Sequence, residues 1–340
     1  MKNIFCLLLM AGLVSACHTA TRPANPSSNA QTKAVLDYFH SLEPRTDKRL
    51  MSGQFSNFGN GANLGLMTNI FNQTGHWPAI FGADYANFRA GGLTVDLPDK
   101  SAIAYWKQGG LVTISTHLYN PANTNGYGLR DKGVDLNLIL AGDSDTHKRW
   151  MRELDQIAAG LQQLKGAGVV VMWRPFHEMN GDWFWWCNQD PDTFIKLWRQ
   201  MFDYFTKTKG LDNLLWVYSP NHGERTEAYY PGDRYVDLIG LDAYTDYIDP
   251  EHIKGYVEIT QIKKPFGFTE FGPHSPSNPP GDYDYLRLLN GIQRNFPRTV
   301  FFMSWNAKWS LASNTNTTEL LSQPWIVNRE DLPKKLARSE

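Results

Sequence analysis

From residue 50 to residue 306 the chain alternates short apolar, β-rich runs with amphipathic helical stretches, and few folds accept that rhythm. Candidate strands cover residues 50–55, 79–84, 111–117, 169–178, 214–220, 236–244, 265–272 and 299–306. Between them, residues 146–167 place Trp150, Leu154, Ile157, Leu161 and Leu164 three or four apart, which is one face of a helix. Residues 192–208 repeat the scheme with Phe194, Leu197, Trp198, Met201, Phe202 and Phe205. Strands that alternate with helices imply a parallel sheet covered on both faces. Eight such units predict closure into a single α/β domain, a (β/α)8 TIM barrel, over residues 34–340. In such barrels the chemistry gathers at the C-terminal ends of the strands. The residues that fall there are Asp84, His117, Glu178, Asn221 with His222, Tyr244, Glu270 and Trp305.

Strand alternation gives a directional expectation for the fourth strand. Arg174, Phe176 and Glu178 share a parity and should all face the barrel axis. A buried arginine needs a carboxylate, and Glu270, at the end of the seventh strand, is the expected partner. The same rule turns Gly240, Asp242 and Tyr244 inward on strand six, and Met303 with Trp305 inward on strand eight. A glutamate held by Arg and a Tyr hydroxyl stays ionised, as a nucleophile must. A glutamate among aromatics keeps its proton, as a general acid must. Glu270 therefore reads as nucleophile and Glu178 as acid/base, the paired equipment for breaking a glycosidic bond.

Composition fits that chemistry and excludes others. A net charge of −1 gives no electrostatic reason to expect a nucleic-acid partner. Several of the twelve tryptophans lie beside Asn, Asp or Gly, as in Asp182-Trp183-Phe184-Trp185-Trp186; indole packs on sugar C–H faces, although most tryptophans are expected in the core. No metal and no cofactor is expected: His177-Glu178 opens like a zinc helix motif, but Gly181 stands where the second histidine belongs. The run Gly59-Asn60-Gly61-Ala62-Asn63-Leu64-Gly65 echoes a dinucleotide fingerprint with its last glycine misplaced, and eight repeats do not suit that fold.

The N-terminus reads as a targeting segment. Lys2 and the apolar run 4–13 lead into Val14-Ser15-Ala16-Cys17, which resembles a bacterial lipobox. The expectation is a signal peptide over 1–16, acylation of Cys17 and a flexible Ser/Thr/Pro-rich tether over 17–33. The resemblance, with His18 rather than aspartate after the cysteine, implies the bacterial outer membrane. With Cys6 removed and Cys17 acylated, only Cys187 remains, so no intramolecular disulfide is expected.

Two blocks then narrow the family. Arg174-Pro175-Phe176-His177-Glu178-Met179-Asn180-Gly181, with Trp183, and Thr269-Glu270-Phe271-Gly272 resemble glycoside hydrolase family 26 of clan A, most of whose members are β-1,4-mannanases. Many clan A enzymes carry Asn before the acid/base glutamate; His177 matches family 26. The resemblance implies a retaining mechanism with Glu178 as acid/base and Glu270 as nucleophile. It implies that His117, His177, Trp183, Tyr244 and Trp305 surround the scissile sugar, with Arg174 in support. It also implies a β-mannan or manno-oligosaccharide substrate. A monomer that touches membrane through its lipid anchor only is expected. Competing expectations are another β-glycan, such as xylan or mixed-linkage glucan, and a non-catalytic surface glycan-binding lipoprotein. Long segments at 118–145 and 85–99 also leave room for exo attack beside the endo mode.

Overall fold

The computed structural model describes residues 22–56, 63–87, 92–273 and 281–336. Cys17 and the 1–16 leader lie outside the described residues, as do part of the 59–65 glycine run and residues 88–91 of the second loop.

Eight parallel strands form the barrel. They are β1 (Leu50–Met51 continued by Gly53–Phe55), β2 (Ile80–Asp84), β3 (Leu111–Ser115), β4 (Val171–Arg174), β5 (Leu214–Tyr218), β6 (Leu238–Tyr244), β7 (Phe266–Gly272) and β8 (Thr299–Ser304). They pair in chain order, and β8 pairs with both β7 and β1, which closes the sheet. A short strand Ile326–Val327 pairs with Leu50–Met51 at the β1 end. No helix among the described residues is long and apolar enough to cross a membrane.

The helices follow the expected faces. Helix Asp145–Gly166 starts at Ser144, whose hydroxyl accepts from the His147 N–H at 2.8 Å, and buries Trp150, Leu154, Ile157, Leu161 and Leu164. Helix Pro191–Asp203 is capped by Asp190 and begins with proline, whose missing N–H costs nothing there. The expected helix to residue 208 changes hand-over at its end, where Tyr204–Thr208 forms a π-turn.

Two departures from the sequence expectation bear on the site. First, β4 stops at Arg174 and not at Glu178. Phe176 and Glu178 take positive φ, +49° and +58°, so strand parity does not reach them. Phe176 accordingly does not face the axis. Its ring packs outward against Trp150, Trp186, Phe194 and Trp198. Second, the tether expected over 17–33 is folded from Ala24 onward. Ala24 N–H donates to Asp237 Oδ1 at 2.6 Å, Asn25 Nδ2 to the Leu211 carbonyl at 3.1 Å, and Asn29 caps helix Ala30–Leu42. Composition suggested a linker because these polar groups find their partners only at the N-terminal ends of β5 and β6.

Candidate active site

Arg174 closes β4 in register with Ser115 of β3, fully buried below the C-terminal mouth of the barrel. Its Nη1 donates to Asp242 Oδ2 at 2.8 Å and to Ser219 Oγ at 3.1 Å, and its Nη2 donates to Glu270 Oε1. The second oxygen of Asp242 accepts from Ser219 Oγ at 2.8 Å and Thr269 Oγ1 at 2.7 Å. The second oxygen of Glu270 accepts from the Tyr244 hydroxyl at 2.7 Å. Thr269 and Glu270 are consecutive, yet both point inward. A β-bulge makes this possible: Phe268 pairs with Leu241 and Glu270 with Asp242, so two residues of β7 face one step of β6. Gly240 leaves the space, since a Cβ there would lie 2.5 Å from Thr269 Cγ2.

Glu178 arrives by a different route. Its backbone is pinned in the left-handed region by its N–H to the Ser219 carbonyl at 2.7 Å, and by its own carbonyl, which accepts from Gly181 N–H at 2.9 Å and the Cys187 thiol at 3.1 Å. Trp183 Nε1 donates to Glu178 Oε2 at 2.5 Å. Gly181 permits that indole position, because a Cβ would lie 2.6 Å from the ring. Asn180 ties this loop to the next one by donating to the Asn221 and Glu224 carbonyls and accepting from Asn221 N–H.

One oxygen each from Glu178, Asp242 and Glu270 lie within 4.8 Å of one another. That spacing suits direct attack by one carboxylate and leaves no room for the water an inverting pair must hold between them. Three carboxyls also resemble a metal cage, but the guanidinium of Arg174 already bonds two of them and supplies the positive charge a metal would bring.

Burial raises the pKa of all three carboxyls. Arg174 opposes that rise in Asp242 and Glu270, which it touches, and on Glu178 it acts less than burial, Asp242, Glu270 and Trp183 do. Desolvation, and then the fields of Asp242 and Glu270, hold Glu178 well above the usual carboxylate range. The cluster's proton therefore belongs on Glu178, and Glu270 is the better candidate for the bare carboxylate.

His117 and His177 form the flank beside β2 and β3. Asp84, fully buried, accepts from Ser115 Oγ at 2.6 Å, from His117 N–H at 3.2 Å and from His117 Nδ1 at 2.9 Å. Asp84 orients the His117 ring through Nδ1, and the Nε2 atoms of His117 and His177 share one hydrogen bond at 3.1 Å. Burial, then Arg174 and His117, push His177 far below its ordinary value, so its ring is neutral. The two Nε2 atoms face each other, which leaves ring edges and faces for a ligand.

The mouth opens into a cleft of about 1030 Å³. His117, His177, Glu178, Trp183, Tyr244, Glu270 and Trp305 all line it, with Arg174 just below. Cys17 lies outside the described residues. Sequence reasoning missed the work of Asp84 and Asp242. Both were legible as inward or strand-end carboxylates, but their partners come from neighbouring strands. Tyr127 and Phe184 were missed outright; Tyr127 reaches the cleft wall from the loop after β3 and donates to the His117 carbonyl.

Comparisons with known proteins agree with this geometry. The profile of glycosyl hydrolase family 26 matches residues 24–331. A mannan endo-1,4-beta-mannosidase of Bacillus subtilis strain 168 is 37% identical over 353 residues, covering 97% of this chain and 95% of that protein. A mannan endo-1,4-beta-mannosidase A and B of Caldalkalibacillus mannanilyticus is 35% identical over 325 residues, covering 91% of this chain and 63% of that one. Among solved structures, the Bacillus subtilis mannanase man26 superposes with a TM-score of 0.84 at 35% identity, covering 91% of this chain and 96% of that chain.

Proposed function

The chain belongs to glycosyl hydrolase family 26, and from that premise we propose that it is an endo-acting, retaining β-1,4-mannanase. The observation that carries the chemistry is the meeting of Glu178 and Glu270, one beside an indole and one on a guanidinium, with oxygens inside 4.8 Å. Glu178 protonates the departing glycosidic oxygen while Glu270 attacks the anomeric carbon. The resulting glycosyl-enzyme is opened by a water that Glu178, now ionised, deprotonates. Tyr244 and Arg174 hold Glu270 in line. Trp305, its ring packed at 4.8 Å and a 55° tilt against Phe55, offers a platform under the sugar ring. Asp242 keeps Arg174 neutralised when Glu270 forms its ester.

Mannan as substrate and endo attack are supported by the relatives, which carry that name along nearly their whole length. Product analysis on mannohexaose tests both. A ladder of shorter oligomers, with the β-anomer appearing first, is the expected result. Mannobiose as sole early product would replace endo with exo attack, and preferential turnover of xylan or lichenan would replace the substrate.

The lipobox-like Val14-Ser15-Ala16-Cys17 supports a further reading, that the enzyme is held at the outer membrane by an acylated Cys17. Mass spectrometry of the mature N-terminal peptide tests it: a diacylglyceryl mass on Cys17 is expected, and cleavage elsewhere with an unmodified thiol would end it.

A further inference from the structure

We infer that the N-terminal face of the barrel is a membrane-facing surface, apposed to a bilayer of anionic phosphate headgroups, and that the catalytic cleft points away from it. The inference rests on the acylated Cys17 and deepens that reading.

The geometry comes from where the chain is first locked to the fold. Ala24 N–H is bonded to Asp237, the residue immediately before β6, and Asn25 to the Leu211 carbonyl, just ahead of β5. Asn29 N–H and Thr32 Oγ1 both donate to the Asp212 carbonyl at 3.0 Å. The chain is therefore fixed to the N-terminal rim of the barrel wall, at the end opposite the cleft residues Tyr244 and Glu270. Seven residue steps separate Ala24 from Cys17. Fully extended, they reach at most about 25 Å. To bring the mouth of the barrel to the bilayer, the same steps would have to pass beneath the helical layer, about 10 Å, and then climb alongside β6. That strand has seven residues and is about 23 Å long. The path is longer than the chain allows, so a lipid on Cys17 holds the anchored rim near the bilayer.

The surface around the anchor suits such a neighbour. Lys33 stands in the first turn of helix Ala30–Leu42, next to Thr32 on Asp212. The C-terminal segment joins it there, where the Lys335 carbonyl accepts from Gln31 Nε2 at 3.1 Å. Lys33, Lys334 and Lys335 are exposed, and none forms an ion pair among the described residues. The nearby carboxylates Asp212 and Asp155 are paired with Lys165 and Lys209. Asp37, exposed one turn beyond Lys33 on the same helix, offsets one of these charges, and the other two lysines leave the patch net positive, which draws toward anionic headgroups.

The test uses the full-length protein made in a lipid-modifying bacterial host and reconstituted into phosphatidylglycerol-containing vesicles. A fluorophore is placed on Lys335→Cys or on Asp182→Cys, the latter in the loop beside Trp183, and quenching by a headgroup-attached quencher is read. The inference expects strong quenching at 335, little at 182, and the same ratio of polymer to mannohexaose turnover, within about twofold, as a soluble Cys17→Ser form. Stronger quenching at 182, or a vesicle-bound enzyme that keeps oligomer activity and loses polymer activity, would overturn the orientation. An N-terminal peptide without lipid would overturn the anchor instead, and mass spectrometry of the same sample tells the two failures apart.

Discussion

Glu178 and Glu270 are the same residue type, buried at the same level of one cleft, yet the chain delivers them by opposite means. Glu270 lies within a seven-residue strand and owes its aim to a bulge. Glu178 lies four residues beyond the end of β4, in a left-handed conformation held by hydrogen bonds to two loops. Their partners differ as much as their backbones. Glu270 meets a guanidinium and a phenol; Glu178 meets an indole N–H. The contrast teaches that acid and nucleophile are not written in the glutamates themselves. Position supplies the reach, and the immediate partner decides where the proton stays.

The largest expected effect is loss of the nucleophile. Glu270→Ala should lower kcat on mannan by about 10⁴-fold or more, because the bond-forming atom is gone. Added azide should restore turnover and give a mannosyl azide of inverted configuration, identified by NMR. Glu178→Ala should cost about 10²–10⁴-fold on mannan, the usual range for general acid–base help. It should cost far less in the first step of an activated aryl mannoside, whose leaving group needs no proton, and azide should there give the retained product. If both variants gave the same azide anomer, the two roles assigned to these partners would be wrong.

Arg174 tests the comparison from below. Removing it as Arg174→Met leaves Asp242 and Glu270 buried without their cation, and breaking such a pair costs about 3–5 kcal/mol. Chemical denaturation should show that loss. The Glu178 carboxyl makes no hydrogen bond to that ion network, so Trp183→Phe, which removes only its indole partner, should cost far less stability.

Much of this arrangement was legible in the sequence. The eight strands begin where apolar runs predict, and both glutamates were placed at the mouth. What the sequence could not show is backbone irregularity. Pro175-Phe176-His177-Glu178 reads as strand because it continues the apolar run Val169–Trp173 with an inward-outward alternation, and nothing in it announces positive φ. The bulge at Thr269–Glu270 is set by Asp242 on β6 and by Ser219 just beyond β5. Likewise Asp84 acquires its role from His117, which lies beyond the neighbouring strand. The 24–33 segment misled for the same reason, since its polar residues become structural only against Asp237, Leu211 and Asp212.

A subtler separation of the pair lies in pH. The Trp183 hydrogen bond favours ionised Glu178 and lowers a pKa that burial has raised. Trp183→Phe removes it, so Glu178 should hold its proton to higher pH. The alkaline limb of kcat/KM should then move upward by up to about one unit, with an activity loss of about tenfold for the missing bond. A limb that moved downward would mean that another group carries the acid role.

The smallest effect is on stability, and it has a sign. Glu178 in the folded protein titrates above its unfolded value of about 4.3. Between those two values the folded state keeps a proton that the unfolded state releases. Stability therefore falls as pH rises through that window, by at most about 1.4 kcal/mol per unit from this one group. Glu178→Gln keeps the shape and removes the titration. It should stabilise the protein by about 1–2 kcal/mol near pH 7 and make little difference near pH 4, where the parent's Glu178 is protonated in the folded state and mostly protonated in the unfolded one. Glu270→Gln should not match that gain at neutral pH, because it also gives up the contact with Arg174. Denaturant midpoints of the two variants, followed from pH 4 to pH 8, would separate them; equal gains would mean that the guanidinium does not distinguish the two carboxyls.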